Sequence, residues 1–237
     1  MNASELYLRV RTKEGRLYPD EWVARLPNIP ASHPLASEWH ARAGSCARLV
    51  RYLSALGHPL TILELGCGNG WLSHQLAHIS ATNIWGLDHA SPELIQASRV
   101  FKQPNLGFLS ADIFDAPFAL QVFDIVLLAS VIQYFPDLPA LIRALWPLLK
   151  PGGEIHLLDS PIYPAPEIPA ARQRTLVYYT SLGFPEMSEH YFHHPVAALD
   201  AFSPRWLYHP GGIRARIKRW LGQSVSPFPW VVIQRQA

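Results

Sequence analysis

This chain has few cysteines and a small net charge, and each of these properties excludes classes of protein. The two cysteines, Cys46 and Cys67, lie far apart among 237 residues, so we expect neither a disulfide framework nor a cysteine-based metal site. A chain with so few thiols is expected in the reducing cytoplasm. The formal net charge is only +2, which is too small to indicate a nucleic-acid partner.

Long hydrophobic runs are absent as well. No stretch approaches the roughly 18 uninterrupted apolar residues that a transmembrane helix needs. The N-terminal segment MNASELYLRVRTKEGR also lacks the apolar core of a secretory signal. We therefore expect no membrane span and no signal peptide. Apolar residues make up 49% of the chain and charged residues 16%, which indicates a folded chain rather than a disordered one.

The most informative segment is rich in glycine. Residues 62–72 read ILELGCGNGWL, in which an apolar run containing Glu64 is followed by Gly66, Gly68 and Gly70 and then by a helical pattern. This pattern predicts a buried strand that turns tightly into a helix. Glycine permits positive φ and lets a ligand approach the main-chain N–H groups. Turns of this kind at the carboxyl ends of strands bind nucleotides in open α/β sheets.

The spacing of these glycines does not fit a dinucleotide fingerprint. The pattern G-x-G-x-x-G needs a final glycine, but that place holds Trp71 counting from Gly66, and Ser73 counting from Gly68. No Lys-Ser/Thr pair follows, so a phosphate loop is also excluded. The pattern present, E-x-G-x-G-x-G, resembles the first motif of class I S-adenosylmethionine (SAM)-dependent methyltransferases.

Residues 60–160 alternate strand-like and helix-like segments, which predicts βαβ units and a largely parallel sheet. The predicted strands are Leu60–Leu65, Ile84–Leu87, Leu106–Phe108, Phe123–Leu128 and Glu154–Leu158, with a final strand at Trp230–Gln234. The predicted helices are Trp71–His78, Pro92–Val100, capped by Ser91, and Leu138–Leu149, stopped by Pro151-Gly152-Gly153. The resemblance implies a Rossmann-like fold: a doubly wound, mostly parallel seven-stranded sheet with helices on both faces and an antiparallel last strand.

Two flanks extend beyond this core, within what we expect to be a single structural domain. Residues 1–58 form a predicted N-terminal helical lid, with a helix from about Leu35 to Leu56 that carries an apolar face. Residues 59–160 form the predicted SAM-binding core. Residues 161–237 are expected to provide a substrate-side lid, with a helix over Ala170–Leu182, and the final sheet strands.

Two aspartates follow the second and third predicted strands. Asp88 lies 22 positions after Gly66, about where an acidic residue can accept hydrogen bonds from ribose hydroxyls. The alternative for Asp88 is a turn or helix-capping residue. The resemblance implies that Asp112 accepts a hydrogen bond from the adenine amino group and that Ile113 packs on the ring. Asp112 could instead be a solvated loop residue, with Asp115 as a competitor.

Glu64 is either a cap for the amides of the glycine turn or, as the resemblance implies, a neighbour of the cofactor's ammonium group. The two roles are compatible. The complete cofactor-binding set that we predict is Glu64, Gly66, Cys67, Gly68, Gly70, Asp88, His89, Asp112, Ile113 and Ala129.

The resemblance implies direct in-line transfer of a methyl group from SAM to a small-molecule acceptor. The alternative is a protein of the same fold that binds the cofactor without turnover and acts as a partner or sensor. The catalytic residue is not identified by the sequence. The candidates for a general base are His190, His193, His194 and Tyr134; the histidines could equally be surface or capping residues. No set of metal ligands is recognisable.

The segment after the fourth strand bears on the acceptor. It reads Ala129-Ser130-Val131-Ile132-Gln133-Tyr134, without the Asp/Asn-Pro-Pro-Tyr/Phe motif with which the family methylates amide or adenine nitrogens. The core motifs resemble the branch that methylates small molecules such as quinone precursors and secondary metabolites. Residues 211–221 place cations among apolar residues, which predicts either a helix packed on the domain or weak contact with an anionic surface.

Overall fold

A seven-stranded sheet forms the centre of the molecule in a computed structural model that describes residues 3–89 and 92–236. Its strand order is β3-β2-β1-β4-β5-β9-β8, and a separate two-stranded pair joins β6 to β7. The strands are β1 (Leu60–Leu65), β2 (Thr82–Asp88), β3 (Leu106–Ser110), β4 (Phe123–Ala129), β5 (Leu149–Leu158), β6 (Ile162–Tyr163), β7 (His194–Pro195), β8 (Arg205–Tyr208) and β9 (Trp230–Gln234).

The chain order of the strands reverses direction at the middle of the sheet. From β1 the chain moves outward through β2 to β3, and it then returns to place β4 on the other side of β1. β1 is parallel to both neighbours, with Ile62 opposite Ile84 on β2 and Ile125 on β4. Ligands of open α/β sheets bind at the carboxyl edge beside such a reversal. The glycine turn follows β1 directly and therefore lies at this point.

The last strand of the sheet is antiparallel, as predicted. β9 runs between β5 and β8 and is antiparallel to both, with Leu157 opposite Val231. The other strands are parallel along the row from β3 to β5. The predicted Rossmann-like fold class is confirmed.

Helices cover both faces of the sheet. The helices are α1 (Ala3–Lys13), α2 (Asp20–Val23), α3 (Ala36–Ala55), α4 (Trp71–Leu76), α5 (Pro92–Val100), α6 (Leu138–Leu145), α7 (Ile168–Leu182) and α8 (Ile213–Trp220). Successive residues of a strand point to opposite faces, so Ile62 packs in the core layer of α3 and α4. Leu63 packs in the layer of α6. Short 3-10 helices cover Ile132–Tyr134, Trp146–Leu148, Ala165–Glu167, Pro185–His190 and Val196–Phe202.

Helix α6 ends earlier than the sequence predicts. The predicted helix extends to Leu149, but α6 ends at Leu145 and a 3-10 turn with Pro147 follows. Proline lacks the N–H that a continuing helix needs, which explains the early end. Pro151-Gly152-Gly153 lie inside β5, where the register with β4 jumps from Leu149 to Glu154. These residues therefore form a bulge, and Gly152 has φ +78°.

The two flanks contain more helix than predicted. Helix α3 matches the predicted helix from about Leu35 to Leu56, and α7 begins two residues before the predicted Ala170. Helix α1 was not predicted; its Leu6 and Val10 pack in one cluster with Tyr179 and Met187. Ser91, the expected cap of α5, lies outside the described residues. Within residues 3–89 and 92–236, no helix has both the length and the apolar content needed to cross a membrane.

Candidate active site

The glycine turn is built around three left-handed residues. Gly66, Gly68 and Gly70 have φ of +73°, +50° and +73°, a region that side chains disfavour. The N–H of Gly66 donates to the carbonyl of Leu87 at 2.7 Å, which holds the turn against β2. A Cβ on Gly70 would lie 2.7 Å from the Phe108 ring. Gly70 is therefore required by packing, and it precedes α4 as its N-cap.

Gly68 is the glycine that faces open space. The nearest atom to a Cβ built there is Glu93 Oε1, at 4.0 Å. The space around Gly68 would admit a side chain. Because Gly68 has none, its main chain is accessible from this space. This is the condition for a ligand to approach the backbone closely.

A large cavity opens above this turn. Its volume is about 1030 Å³, at the upper end of the roughly 300–1,000 Å³ of small-molecule sites. The sheet side of the wall includes Glu64, Gly66, Cys67, Gly68 and Ala129. The opposite walls include six tyrosines from the two flanks and Tyr134 from the core; the six are Tyr7, Tyr18, Tyr163, Tyr178, Tyr179 and Tyr191.

Glu64 is a buried carboxyl group on the cavity wall. Burial raises its pKa to about 8, while hydrogen bonding to Ser73 opposes that shift and the charge of Asp88 adds to it. The Ser73 hydroxyl donates to Glu64 Oε2 in a short hydrogen bond. Glu64 therefore binds Ser73 in the first turn of α4, a partner that neither of its two predicted roles included. Its carboxyl group is largely protonated at neutral pH.

Asp88 lies beside the glycine turn at the end of β2. Its Oδ2 accepts from the N–H of Gly68 at 2.7 Å, and its Oδ1 accepts from the N–H of His89 at 2.7 Å. Burial raises the pKa of Asp88 and these two hydrogen bonds oppose the rise. Each oxygen keeps acceptor capacity for a further donor. Asp88 is not itself in the wall of the cavity, and the side chain of His89 is exposed.

Asp112 and Ile113 lie on the same edge of the sheet, one strand further out. Asp88 pairs with Ser110 across β2 and β3, and Asp112 follows two residues later. The side chain of Asp112 is exposed and its Oδ1 accepts from the N–H of Phe114 at 3.0 Å. Ile113 is buried in one cluster with Leu87 and Val131. The structure thus brings these two residues near the glycine turn but outside the main cavity.

The histidine candidates lie away from the main cavity. His190 is exposed. His193 lies 2.9 Å from the Thr175 hydroxyl and lines a second cavity of about 470 Å³. His194 is buried, and its Nε2 lies 2.9 Å from the carbonyl oxygen of Ile132. That nitrogen carries a proton because a carbonyl oxygen only accepts.

Tyr134 is the remaining candidate, and it lines the main cavity. Its ring meets that of Tyr7 edge to face at 5.4 Å. Burial raises the pKa of Tyr134 above its usual value, although the charge of Arg11 opposes the rise. The hydroxyl is therefore neutral at physiological pH and available as a hydrogen-bond donor.

A family model described as a methyltransferase domain matches residues 62–153. Residues 62–153 form a methyltransferase domain. The resemblance indicated by the glycine turn is thereby confirmed. The matched residues of the methyltransferase domain contain Glu64, the three glycines, Asp88 and Asp112.

Curated relatives match about half of the chain. A demethylmenaquinone methyltransferase of Chlorobaculum parvum is 30% identical over 121 residues, which is 51% of this chain and 48% of the relative. A ubiquinone biosynthesis O-methyltransferase of Xanthomonas axonopodis pv. citri is 34% identical over 115 residues, 46% of this chain and 47% of the relative. The chain spans about half the length of the curated relatives it matches.

Solved structures share the fold over much more of the chain. The CurJ carbon methyltransferase has a TM-score of 0.63 at 16% identity, and the match covers 99% of this chain and 67% of that one. Geranyl diphosphate methyltransferase, solved in complex with SAM, has a TM-score of 0.57 at 12% identity, with 88% and 93% covered. At these identities the likeness establishes the fold alone.

Several charged residues that face the methyltransferase domain were not predicted from the sequence. Arg11 of α1 donates to Glu93 of α5 at 3.1 Å, and both line the cavity. Nε of Arg11 and Oε1 of Gln133 are buried and have no hydrogen-bond partner among residues 3–89 and 92–236. Glu93 had a weak sequence signal as an acidic residue in the first turn after Asp88. Arg11 had none, because it lies far from the core motifs.

A second ion pair holds the chain after α1 against α3. The two terminal nitrogens of Arg16 each donate to one oxygen of Glu38 at 2.7 Å, and Arg42 Nε donates to Glu38 at 3.0 Å. Burial would raise the pKa of Glu38, but the Arg16 hydrogen bonds and the charges of both arginines lower it to about 2. Arg42 thus belongs to this network at the cavity wall.

Asp159 connects the sheet to both flanks. It follows β5 with φ +50°. Its Oδ1 accepts from the hydroxyls of Ser45 at 2.7 Å and Ser226 at 2.6 Å. Burial raises the pKa of Asp159, and these hydrogen bonds oppose the rise. Asp159 therefore anchors α3 and residues near 226 at the carboxyl edge of the sheet.

Proposed function

We propose that this protein transfers a methyl group from SAM to a small-molecule acceptor by direct in-line displacement. The observation that carries the proposal is the left-handed glycine turn at the sheet's reversal point, open at Gly68 and bordered by Asp88. The cavity of about 1030 Å³ has room for a cofactor and an acceptor together. The curated relatives named for menaquinone and ubiquinone biosynthesis support a small-molecule acceptor.

The polar groups of the site fit SAM. The open main chain at Gly68 suits close approach of the cofactor, and Asp88 offers spare acceptor capacity for ribose hydroxyls. We assign Asp112 to the adenine amino group, Ile113 to the ring, and Glu64 to the ammonium. The other members of the proposed cofactor site are Gly66, Cys67, Gly70, His89 and Ala129. When bound, SAM supplies an electrophilic methyl group on its sulfonium.

The chain's own residues then hold the acceptor in line and exclude water. Alignment of this kind contributes about 7–11 kcal/mol to a two-reactant step. Of the four candidate bases, Tyr134 is supported by its position, because it lines the cavity. Its raised pKa favours a role in orienting the acceptor by donating a hydrogen bond. His190, His193 and His194 stay as predictions for acceptors that lose a proton.

We further propose that residues 1–58 and 161–237 form the acceptor side of the site around the core of residues 59–160. The support is that Tyr7 and Arg11 line the cavity from one flank, and Tyr178 and Tyr191 from the other. A cytoplasmic location is supported by Cys46 and Cys67, which are both free and buried. The basic segment at residues 211–221 supports contact with an anionic surface and not with nucleic acid.

Replacing Asp88 tests the cofactor assignment. We expect Asp88→Ala to weaken SAM binding at least severalfold, and about tenfold for each hydrogen bond lost to the carboxylate. Isothermal titration calorimetry gives the Kd. The matched control is Asp200→Ala, which removes an exposed aspartate that does not line the cavity and should leave the Kd unchanged. An unchanged Kd in Asp88→Ala would refute the ribose assignment.

Methyl transfer itself is tested with SAM labelled in its methyl group and a panel of small aromatic and carboxylate acceptors. The labelled methyl group should appear on an acceptor and not in water-soluble breakdown products of SAM. Absence of SAM binding at millimolar concentration would contradict the proposed function as a whole.

A further inference from the structure

Helix α8 carries an apolar stripe that is exposed to solvent. Ile213, Ile217, Trp220 and Leu221 are 75%, 52%, 82% and 58% exposed. Their spacing of four, three and one residues places them on one face of the helix. The sequence favoured a helix packed on the domain, but the packed face is the opposite one, where Ala215 is 2% exposed. Within the described part of the chain, these large apolar side chains are therefore mostly open to solvent.

Cations border this stripe. Arg216 and Arg219 are exposed, and neither pairs with a carboxylate among the described residues. Arg219 donates to the carbonyl of Pro210 in a short hydrogen bond. Arg214 and Lys218 belong to the same helix, although their side chains lie outside the described part of the structure. No acidic residue occurs between Gly211 and Leu221.

This combination matches the surface of an anionic membrane. A helix with Trp and aliphatic residues on one face and arginines beside them lies in the plane of the interface and inserts its apolar face. Tryptophan is enriched at the headgroup level, where its ring is partly apolar and partly polar. Anionic headgroups complement the unpaired cations.

Two other occupants fit the charges and the apolar face less well. Nucleic acid would pair with the cations but leave the central Trp220 and Ile217 in water, and the net charge of the chain is only +2. A second copy would bring two sets of unpaired arginines together without an acidic partner on either helix. An anionic lipid surface satisfies both the cations and the apolar stripe.

Helix α8 is followed closely in the sequence by residues that line the cavity. Arg219 and the segment 223–228 that follows the helix line the cavity. The Tyr208 hydroxyl donates to the carbonyl of Ser226 at 2.8 Å, which ties the strand before α8 to the segment after it. Ser226 in turn donates to Asp159 at the sheet edge.

We propose that α8 docks this protein on an anionic phospholipid surface and brings the mouth of the cavity to the lipid. An amphiphilic acceptor can then pass from the bilayer into the cavity. The delivery of an acceptor rests on the proposed function, whereas the docking does not.

The test is flotation of the full chain with vesicles of phosphatidylcholine containing about one third phosphatidylglycerol. We expect binding that weakens as salt is added. Ile217→Ser combined with Trp220→Ser should reduce the partition coefficient more than tenfold, because two large apolar side chains no longer insert. Arg216→Gln should reduce it about fivefold, the contribution of one cation near an anionic surface.

The matched control is Ile95→Ser combined with Leu120→Ser. These residues are 63% and 68% exposed elsewhere on the surface, so the control loses comparable apolar area and should bind vesicles like the unmodified chain. Absence of binding by the unmodified chain, or equal binding to pure phosphatidylcholine, overturns the proposal. A dimer that the α8 double variant abolishes, without vesicle binding, also overturns it.

SAM binding measured on the same proteins separates the two proposals. Ile217 and Trp220 do not line the cavity, so the double variant should keep its affinity for SAM. Failed vesicle binding with intact SAM binding contradicts the docking alone. Failed SAM binding with intact vesicle binding contradicts the proposed function alone.

Discussion

Gly66 combines a left-handed backbone with the closest side-chain neighbour in the glycine turn. A Cβ on Gly66 would lie 2.3 Å from Val131 Cγ2. We expect Gly66→Ala to lower the free energy of unfolding by about 1–3 kcal/mol, from overpacking and from the left-handed φ. Chemical denaturation measures the change.

A second substitution separates the two causes. In the Gly66→Ala background, Val131→Ala removes the nearest Cγ atoms and should recover part of the loss, judged against Val131→Ala alone. About 1 kcal/mol should persist because the backbone stays left-handed. If Val131→Ala recovers nothing, contact with Val131 is not the reason for glycine at this position.

Glu64 should release a proton when SAM binds. Burial raises the pKa of Glu64 to about 8, so the free protein holds this proton at pH 7. An adjacent ammonium group favours the carboxylate and lowers the pKa. We therefore expect proton release on binding, seen as a buffer-dependent enthalpy in calorimetry, and an affinity that rises from pH 6 to about pH 8.

The isosteric variant Glu64→Gln is the control for this prediction. It keeps an acceptor for the Ser73 hydroxyl but has no proton to release. The difference in proton release between the two proteins should approach one proton per SAM bound. Equal release by both would mean that the ammonium lies elsewhere.

The Arg16–Glu38 ion pair, which depends on pH, holds α1 and the residues that follow it against α3. Glu38 has a folded-state pKa of about 2 and an ordinary value of 4.5. Its stabilising contribution is thus fully present above about pH 4.5 and is lost as the pH falls toward 2. We expect Glu38→Gln to raise hydrogen exchange in residues 3–18 at pH 7 and to remove part of the acid sensitivity of this segment.

Glu21→Gln is a suitable control because Glu21 is an exposed carboxylate of α2. It changes the net charge equally and should leave exchange in residues 3–18 unchanged. The same exchange in all three proteins would show that the Arg16–Glu38 pair does not hold this segment.

The strands at the centre of the sheet, such as β1, β4 and β9, were predictable from sequence because they are largely buried on both sides, whereas β6, β7 and β8 were not predicted individually. β1 and β9 have the predicted bounds, and both are nearly continuous apolar runs bordered by glycine or proline. Helix α1 was missed because two buried residues, Leu6 and Val10, anchor it to a distant cluster. The end of α6 was misplaced because Pro147 was given less weight than the later glycines.

The two sides of the candidate site also differ in how far their residues could be predicted from the sequence. Cofactor residues could be proposed from the sequence because Glu64, the glycines and Asp88 follow one another along two adjacent strands. On the proposed acceptor side, Arg11 binds Glu93, which is 82 positions away in the chain, and the Tyr7 ring packs edge to face on the Tyr134 ring. Such pairs have no local pattern, so only the assembled fold reveals them. The site residues on both sides remain predictions until ligand binding is measured.

Polar contacts join the walls of the cavity in the assembled molecule. Asp159 receives hydrogen bonds from Ser45 in α3 and from Ser226 beyond α8. Arg11 connects α1 to α5, and Tyr178 of α7 donates to Glu14 in a short hydrogen bond. Both flanks are thus connected to the sheet and to each other around one cavity.

The position of β9 sets the order in which the sheet is completed on the ribosome. β8 is synthesised first, yet it pairs only with β9, which occupies the place between β8 and β5. Until β9 emerges, the N–H and C=O groups along that side of β5 are open to strands of other nascent chains. β8 meanwhile waits without a neighbour, with residues 209–229 still to follow. A stall of translation within those residues would expose an unfinished sheet edge, and the emergence of β9 closes it.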